Sequence, residues 1–305
     1  MIFAGIAIFS DAQDTFYDFI NTGMYSVGYA DTVLFDKKIE YEEYGYKGKK
    51  PYFIEIWHPL EKKENPTCMK FADFLGTNLQ NPLDSIRKQL RTKYDEIIIR
   101  DAISENLETG EENNFGEFDF GSICEQIMNI ETRSIRSEIL KAGAFPVIVY
   151  HHGSQSTSFE NFAMAEYFAS RGYIFVSSNF HLPFSNTIFG LKPYNKILKN
   201  EEEESLKTVI GFARTLSDKN ELFFVGHSWG AQMGWRALDN DETISGFVSL
   251  ETTIEFKDDN VKIKELWPEV YQKIMIENSH YPFPVLLCAA TGKKAPFPFF
   301  EKAVV

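Results

Sequence analysis

The chain has 305 residues, with 31 Lys and Arg against 44 Asp and Glu and a formal net charge of −13. Hydrophobic residues make up 44% and charged residues 25%, a profile that excludes a disordered chain. The acidic balance excludes nucleic acid as a partner, because such binding rests on neutralising phosphates with Lys and Arg. No apolar run approaches the roughly 18 residues a spanning helix needs. Cys68, Cys124 and Cys288 stand far apart with no CxxC pair, which excludes zinc-ribbon and disulfide-rich scaffolds.

The chain opens on Met1 to Phe9 without a charge, then Ser10-Asp11-Ala12, a small-x-small step. Residues 1–12 read as the remnant of an export signal, which would place the protein outside the cell or in the periplasm. A buried strand in a cytoplasmic protein is the alternative. Thr32 to Phe35 and Tyr52 to Trp57 then read as strands flanking a turn region with Gly45 and Gly48. They suit the antiparallel strands that often open a mixed sheet.

Residues 61–143 read as a helical insertion. Ile86, Leu90, Tyr94, Ile97 and Ile98 follow helical spacing within 82–107, and Ile127, Ile130 and Ile135 suggest a second helix over 123–140. From residue 144 the pattern becomes strand–helix alternation. Strands are expected at 145–150, 173–176, 222–225, 246–250 and 285–290, with helices over 159–171, over 201–217 and from Ala231. The acidic run Glu201 to Glu204 reads as the first turn of its helix, favoured there by the helix dipole. Apolar strands without alternation, separated by helices, predict a mostly parallel central sheet with helices on both faces, the α/β class.

The chemistry lies in Val225-Gly226-His227-Ser228-Trp229-Gly230-Ala231, where a strand runs through G-x-S-x-G into a helix. A serine at the apex of so sharp a turn is held in strained backbone angles, and glycines two residues either side remove clashing Cβ atoms. Ser228 is the candidate nucleophile. An oxyanion hole then needs two backbone N–H groups, one from the residue after the nucleophile, Trp229. The second is assigned to Ser154, with His152 and Gly153 as the supporting loop after the 145–150 strand. Metal binding at His151 and His152 is the weaker reading, since successive residues leaving a strand point to opposite sides. No metal or cofactor is expected.

Residues Pro146 to Gly153, Gly226 to Gly230 and Ile244 to Glu251 resemble an α/β-hydrolase of the group around platelet-activating-factor acetylhydrolase and the dienelactone-hydrolase-like esterases. Ile54-Glu55-Ile56-Trp57-His58-Pro59 is similar to the I-x-I-W-Y-P strand of bacterial members. The resemblance covers residues 28–60 and 144–300 and implies one hydrolase domain over 28–305. It also implies a triad acid at the end of the strand after the nucleophile's helix, where Glu251 stands in place of the group's usual Asp. Asp258 and Asp259 are the fallback. Other α/β-hydrolases place the acid after the next strand, but no carboxylate follows that strand here until Glu301.

The resemblance implies a histidine base one strand further on, beyond residue 305, and none of the six histidines fits that role. The expectation is a chain truncated before its final strand, helix and catalytic histidine. The leading functional reading is a serine hydrolase acting on small-molecule or lipid-like carboxylic esters through an acyl-enzyme. An amidase or peptidase on the same fold is the second reading. A non-catalytic hydrolase-like binding protein that truly ends at 305 is the third.

Overall fold

The computed structural model describes residues 20–43, 45–75, 83, 120–138, 144–153, 156–180, 196–250 and 260–288. The segment read as an export signal, nearly all of the expected 82–107 helix and the end of the 285–290 strand lie outside these residues. The described parts of 1–51, 57–139 and 159–172 form one compact unit, and those of 52–56, 140–158 and 173–305 form another.

In the first unit, β1 (Ser26–Glu43) is followed by β2 (Tyr46–Leu60), its neighbour in the sheet. A two-residue connection between neighbouring strands allows only the antiparallel arrangement, as expected from the sequence. Helices α1 (Phe71–Leu75), α2 (Phe120–Met128) and α3 (Phe162–Ala169) complete the unit, with β3 (Ser134–Arg136). Its core is aromatic. Phe74 meets Tyr29 at 4.9 Å, Trp57 at 5.6 Å and Phe162 at 5.6 Å between ring centroids. Such tilted and edge-on contacts add to the area that these rings bury.

The helix expected over 123–140 ends at Met128, and Ser134–Arg136 forms a strand parallel to β1, with Val27 opposite Ser134. Polar side chains decide the difference. The Asn129 amide donates to the Glu125 carbonyl at 2.9 Å and the Thr132 hydroxyl to the Met69 carbonyl at 2.7 Å. The buried Glu166 carboxylate on α3 accepts from the Ser134 hydroxyl at 2.6 Å and the Arg133 N–H at 2.9 Å. These local bonds offer the backbone an alternative to the helical ladder.

His58 is buried in this unit, with Nδ1 3.1 Å from the Pro59 carbonyl and Nε2 2.9 Å from the Ser137 hydroxyl. Burial pushes its pKa below the ordinary histidine value, against the opposite pull of hydrogen bonds to the Pro59 and Glu138 backbone. The unfolded chain therefore takes up the proton first as pH falls. Stability from this site is full above about pH 6.5 and is lost progressively as pH drops below that towards the folded value. Urea midpoints measured between pH 7.5 and pH 5.5 should fall less steeply in a His58→Gln variant than in the wild type; equal slopes would contradict this.

In the second unit the strand order is β2–β5–β4–β6–β7–β8, with β2 represented by residues 52–56. The strands are β4 (Val147–His151), β5 (Ile174–Ser178), β6 (Leu222–His227), β7 (Ile244–Leu250) and β8 (Val285–Cys288). Every pair from β5 to β8 is parallel, as the apolar runs predict. All residues of β4 and β5 are buried, so both faces of the sheet are covered there.

Helices α4 (Lys196–Arg214) and α5 (Trp229–Ala237) connect β5 to β6 and β6 to β7, and both pack on the sheet. Two short helices, α6 (Asn260–Leu266) and α7 (Pro268–Tyr271), precede a π-helical turn over Gln272–Ile276 and then β8. Among the described residues no helix is long and apolar enough to cross a membrane.

Candidate active site

The chain leaves β4 for β5 on one side and continues to β6 on the other, so the sheet order reverses beside β4. In open parallel sheets the crevice at the carboxyl ends of such strands is where ligands bind. The carboxyl ends of β4 and β6 are the segments singled out in the sequence. His151 stands opposite Gly226 in the β4–β6 ladder.

Ser228 lies between the last residue of β6 and the first of α5, with φ 49° and ψ −109°. The other described non-glycine residues with positive φ are Asn65 and Asn278, a residue type whose short amide tolerates it. A serine at these angles carries strain of order 1–3 kcal/mol, held in place by its surroundings. Its N–H donates to the Leu250 carbonyl at 2.9 Å, which ties the turn to the end of β7. Its carbonyl accepts from the N–H groups of Ala231 and Gln232 at 3.1 and 3.2 Å and starts α5. Among the described residues nothing hydrogen-bonds the Ser228 hydroxyl, and the side chain is only half-buried.

The flanking glycines are required by close approach. A Cβ on Gly226 would stand 2.5 Å from the Ala231 nitrogen, and one on Gly230 would stand 2.2 Å from the His151 carbonyl oxygen. Gly153 brings the loop after β4 onto the same turn: a Cβ there would lie 3.0 Å from His227 Nδ1 and 3.7 Å from Ser228 Cβ. Trp229 is the first residue of α5. The N–H groups of a first helical turn have no acceptor within the helix, and the dipole there favours negative charge.

His152 braces the loop. Its Nδ1 lies 2.7 Å from the Gly153 carbonyl and must carry a proton, because a carbonyl only accepts; Nε2 then accepts the Phe180 N–H at 3.3 Å. His151 places Nδ1 2.9 Å from the His152 carbonyl, and its ring stacks on Phe180 at 3.9 Å between centroids. Ser154, Glu251, Asp258, Asp259 and His181 lie outside the described residues. Strand β7, which Glu251 follows in sequence, ends at Leu250 opposite His227. Among the described residues no histidine is hydrogen-bonded to Ser228. His58 belongs to the first unit, and His280 is exposed before β8.

One residue of this site was missed in the sequence. Helix α4 starts at Lys196, so Glu201 to Glu204 fall in its second and third turns rather than its first. Glu202 is fully buried, and its Oε1 accepts the Trp229 indole N–H at 2.9 Å and lies 3.2 Å from His151 Nε2. Glu203 instead pairs with Lys207 at 2.6 Å and Arg236 at 2.7 Å, contacts that hold its pKa below the usual value despite the raising effect of burial. Spacing carried the signal: Glu202 precedes the buried Leu206 and Val209 by four and seven residues, on one helical face.

Residues 146–293 match the alpha/beta hydrolase fold family. No curated protein matches the sequence. Among solved structures, a ferulic acid esterase from Streptomyces cinnamoneus is similar with a TM-score of 0.55 and 12% identity, over 92% of this chain and 70% of that one. A dienelactone hydrolase-like promiscuous phosphotriesterase from metagenomic libraries gives a TM-score of 0.35 and 12% identity, over 49% and 72% of the two chains. A putative dienelactone hydrolase from Klebsiella pneumoniae gives 0.34 and 10%, over 51% and 80%. At 12% identity the likeness to the ferulic acid esterase is one of fold. With a parallel sheet reversing at β4, a strained serine between β6 and α5, and the match over 146–293, this part of the chain has the α/β-hydrolase fold.

Proposed function

We propose that the protein is a serine hydrolase that cleaves carboxylic esters through an acyl-enzyme. The observation that carries this reading is Ser228 itself, held at φ 49° and ψ −109° at the apex between β6 and α5. Strain of this kind persists where the surroundings over-determine it, and it presents the hydroxyl at the end of the sheet.

Ser228 Oγ attacks the acyl carbonyl carbon and gives its proton to a histidine base, which we assign outside the described residues. Glu251 orients that base. The N–H groups of Trp229 and Ser154 hold the oxyanion, worth roughly 10²–10³ in kcat for each such donor. Collapse of the tetrahedral intermediate expels the alcohol, which takes the proton from the histidine. Water then attacks the acyl group by the same route in reverse and releases the acid. The substrate is a small-molecule or lipid-like ester.

Turnover of short-chain 4-nitrophenyl esters by the full-length gene product, set beside aminoacyl 4-nitroanilides, tests the reading. Ester turnover that clearly exceeds anilide turnover is expected. Preferred anilide cleavage would point to an amidase, and turnover of neither would contradict catalysis.

A further inference from the structure

Glu202 has no part in the proposed chemistry, yet it is fully buried on α4. The face that carries it also buries Ser205 and is otherwise apolar, with Leu206, Val209, Ile210 and Ala213 at 2% exposure or less. Taking a carboxylate out of water is costly unless it is well paired. Its hydrogen bond is specific: Oε1 accepts the Trp229 indole N–H at 2.9 Å, and His151 Nε2 lies 3.2 Å away without a hydrogen bond to it.

Those two residues belong to the two backbone segments on which an oxyanion site depends. Trp229 is the first residue of α5, and its own N–H is the assigned donor. His151 ends β4, two residues before Gly153, which meets the Ser228 turn. His151 is fixed on its remaining sides as well. Its ring stacks on Phe180 within 9° of parallel, and its carbonyl leaves no room for a Cβ on Gly230.

We propose that Glu202 is a positioning residue, holding the α5 N-terminus, and with it the Trp229 N–H, against the end of β4. This inference rests on the serine-hydrolase reading. It concerns a donor that acts on the transition state, so its loss should lower kcat and leave KM nearly unchanged.

The test uses the full-length protein with Glu202→Gln, Trp229→Phe and their combination, and Glu203→Gln on the neighbouring position as control. Glu202→Gln is expected to lower kcat by about 10-fold with KM within about twofold, as a fraction of the 10²–10³ that a whole donor supplies. Trp229→Phe should do the same, and the double variant should be no slower than Trp229→Phe, because Glu202→Gln weakens, by removing the acceptor's charge, the same bond that Trp229→Phe removes. Glu203→Gln should match the wild type. The Trp229 indole N–H resonance provides a readout independent of activity and should move upfield in Glu202→Gln. An unmoved resonance, a wild-type kcat in folded Glu202→Gln, or effects that multiply in the double variant would each overturn the inference. A moved resonance in a protein that turns over no ester overturns the hydrolase reading, and the positioning role with it.

Discussion

Ser228→Ala is expected to reduce ester turnover to background while leaving the protein folded. Loss of a nucleophile in comparable hydrolases costs on the order of 10⁶ in kcat, because the remaining groups stabilise an intermediate that no longer forms. Among the described residues nothing hydrogen-bonds the Ser228 hydroxyl, so its removal orphans no buried partner there and stability should change by less than about 0.5 kcal/mol. Ser228→Gly separates chemistry from strain. At φ 49° and ψ −109° a glycine is at ease where a serine is not, so this variant should be inactive and yet more stable by about 1 kcal/mol. Thermal midpoints and kcat for the three proteins check both statements. Turnover of Ser228→Ala within tenfold of the wild type would contradict the assignment.

Gly230→Ala is expected to be the most destabilising single methyl in the second unit. The added Cβ would stand 2.2 Å from the His151 carbonyl oxygen, 2.7 Å from its carbon and 2.8 Å from Nδ1 of its ring. The first two neighbours are backbone atoms in β4, in register with β5 and β6, so no rotamer change makes room. Relief requires α5 to move off the sheet, at a cost of about 3 kcal/mol or more. The same argument applies to Gly226, whose Cβ would meet the backbone of Gly230 and Ala231 at 2.5–2.7 Å. Gly211→Ala is the opposite case. It lies in α4, exposed, with nothing near its added Cβ, and alanine there should stabilise the helix by about 0.5–1 kcal/mol. Urea unfolding of Gly230→Ala and Gly211→Ala should therefore shift in opposite directions; a Gly230→Ala midpoint equal to the wild type would contradict the close packing.

The β6–Ser228–α5 turn was legible because three local signals agree over one short segment. Apolar Leu222 to Val225 mark a buried strand, Gly226 and Gly230 mark a close approach, and Ala231 onwards marks a helix. The parallel strands β4 to β7 were legible for a related reason, since strands covered on both faces read as continuous apolar runs. Strand β3 was not. Three residues are too few for a period to show, and Ile127, Ile130 and Ile135 imitate a helical face that Thr132 and Ser134 then break by hydrogen bonding. Glu202 was hidden for a different reason. In a run of four glutamates only helical phase separates the fully buried one from its more exposed neighbours, and that phase depends on where α4 begins. Spacing alone does not reveal the partners proposed for Ser228, because a carboxylate and an imidazole that meet in space leave no fixed interval along the chain.

The central claim, that Ser228 is an activated nucleophile, is tested most directly by covalent labelling. The full-length protein would be treated with a fluorophosphonate probe, digested and analysed by mass spectrometry. A single adduct on the peptide carrying Ser228, absent from Ser228→Ala, is the expected result. No adduct, or one that persists in Ser228→Ala, would contradict it.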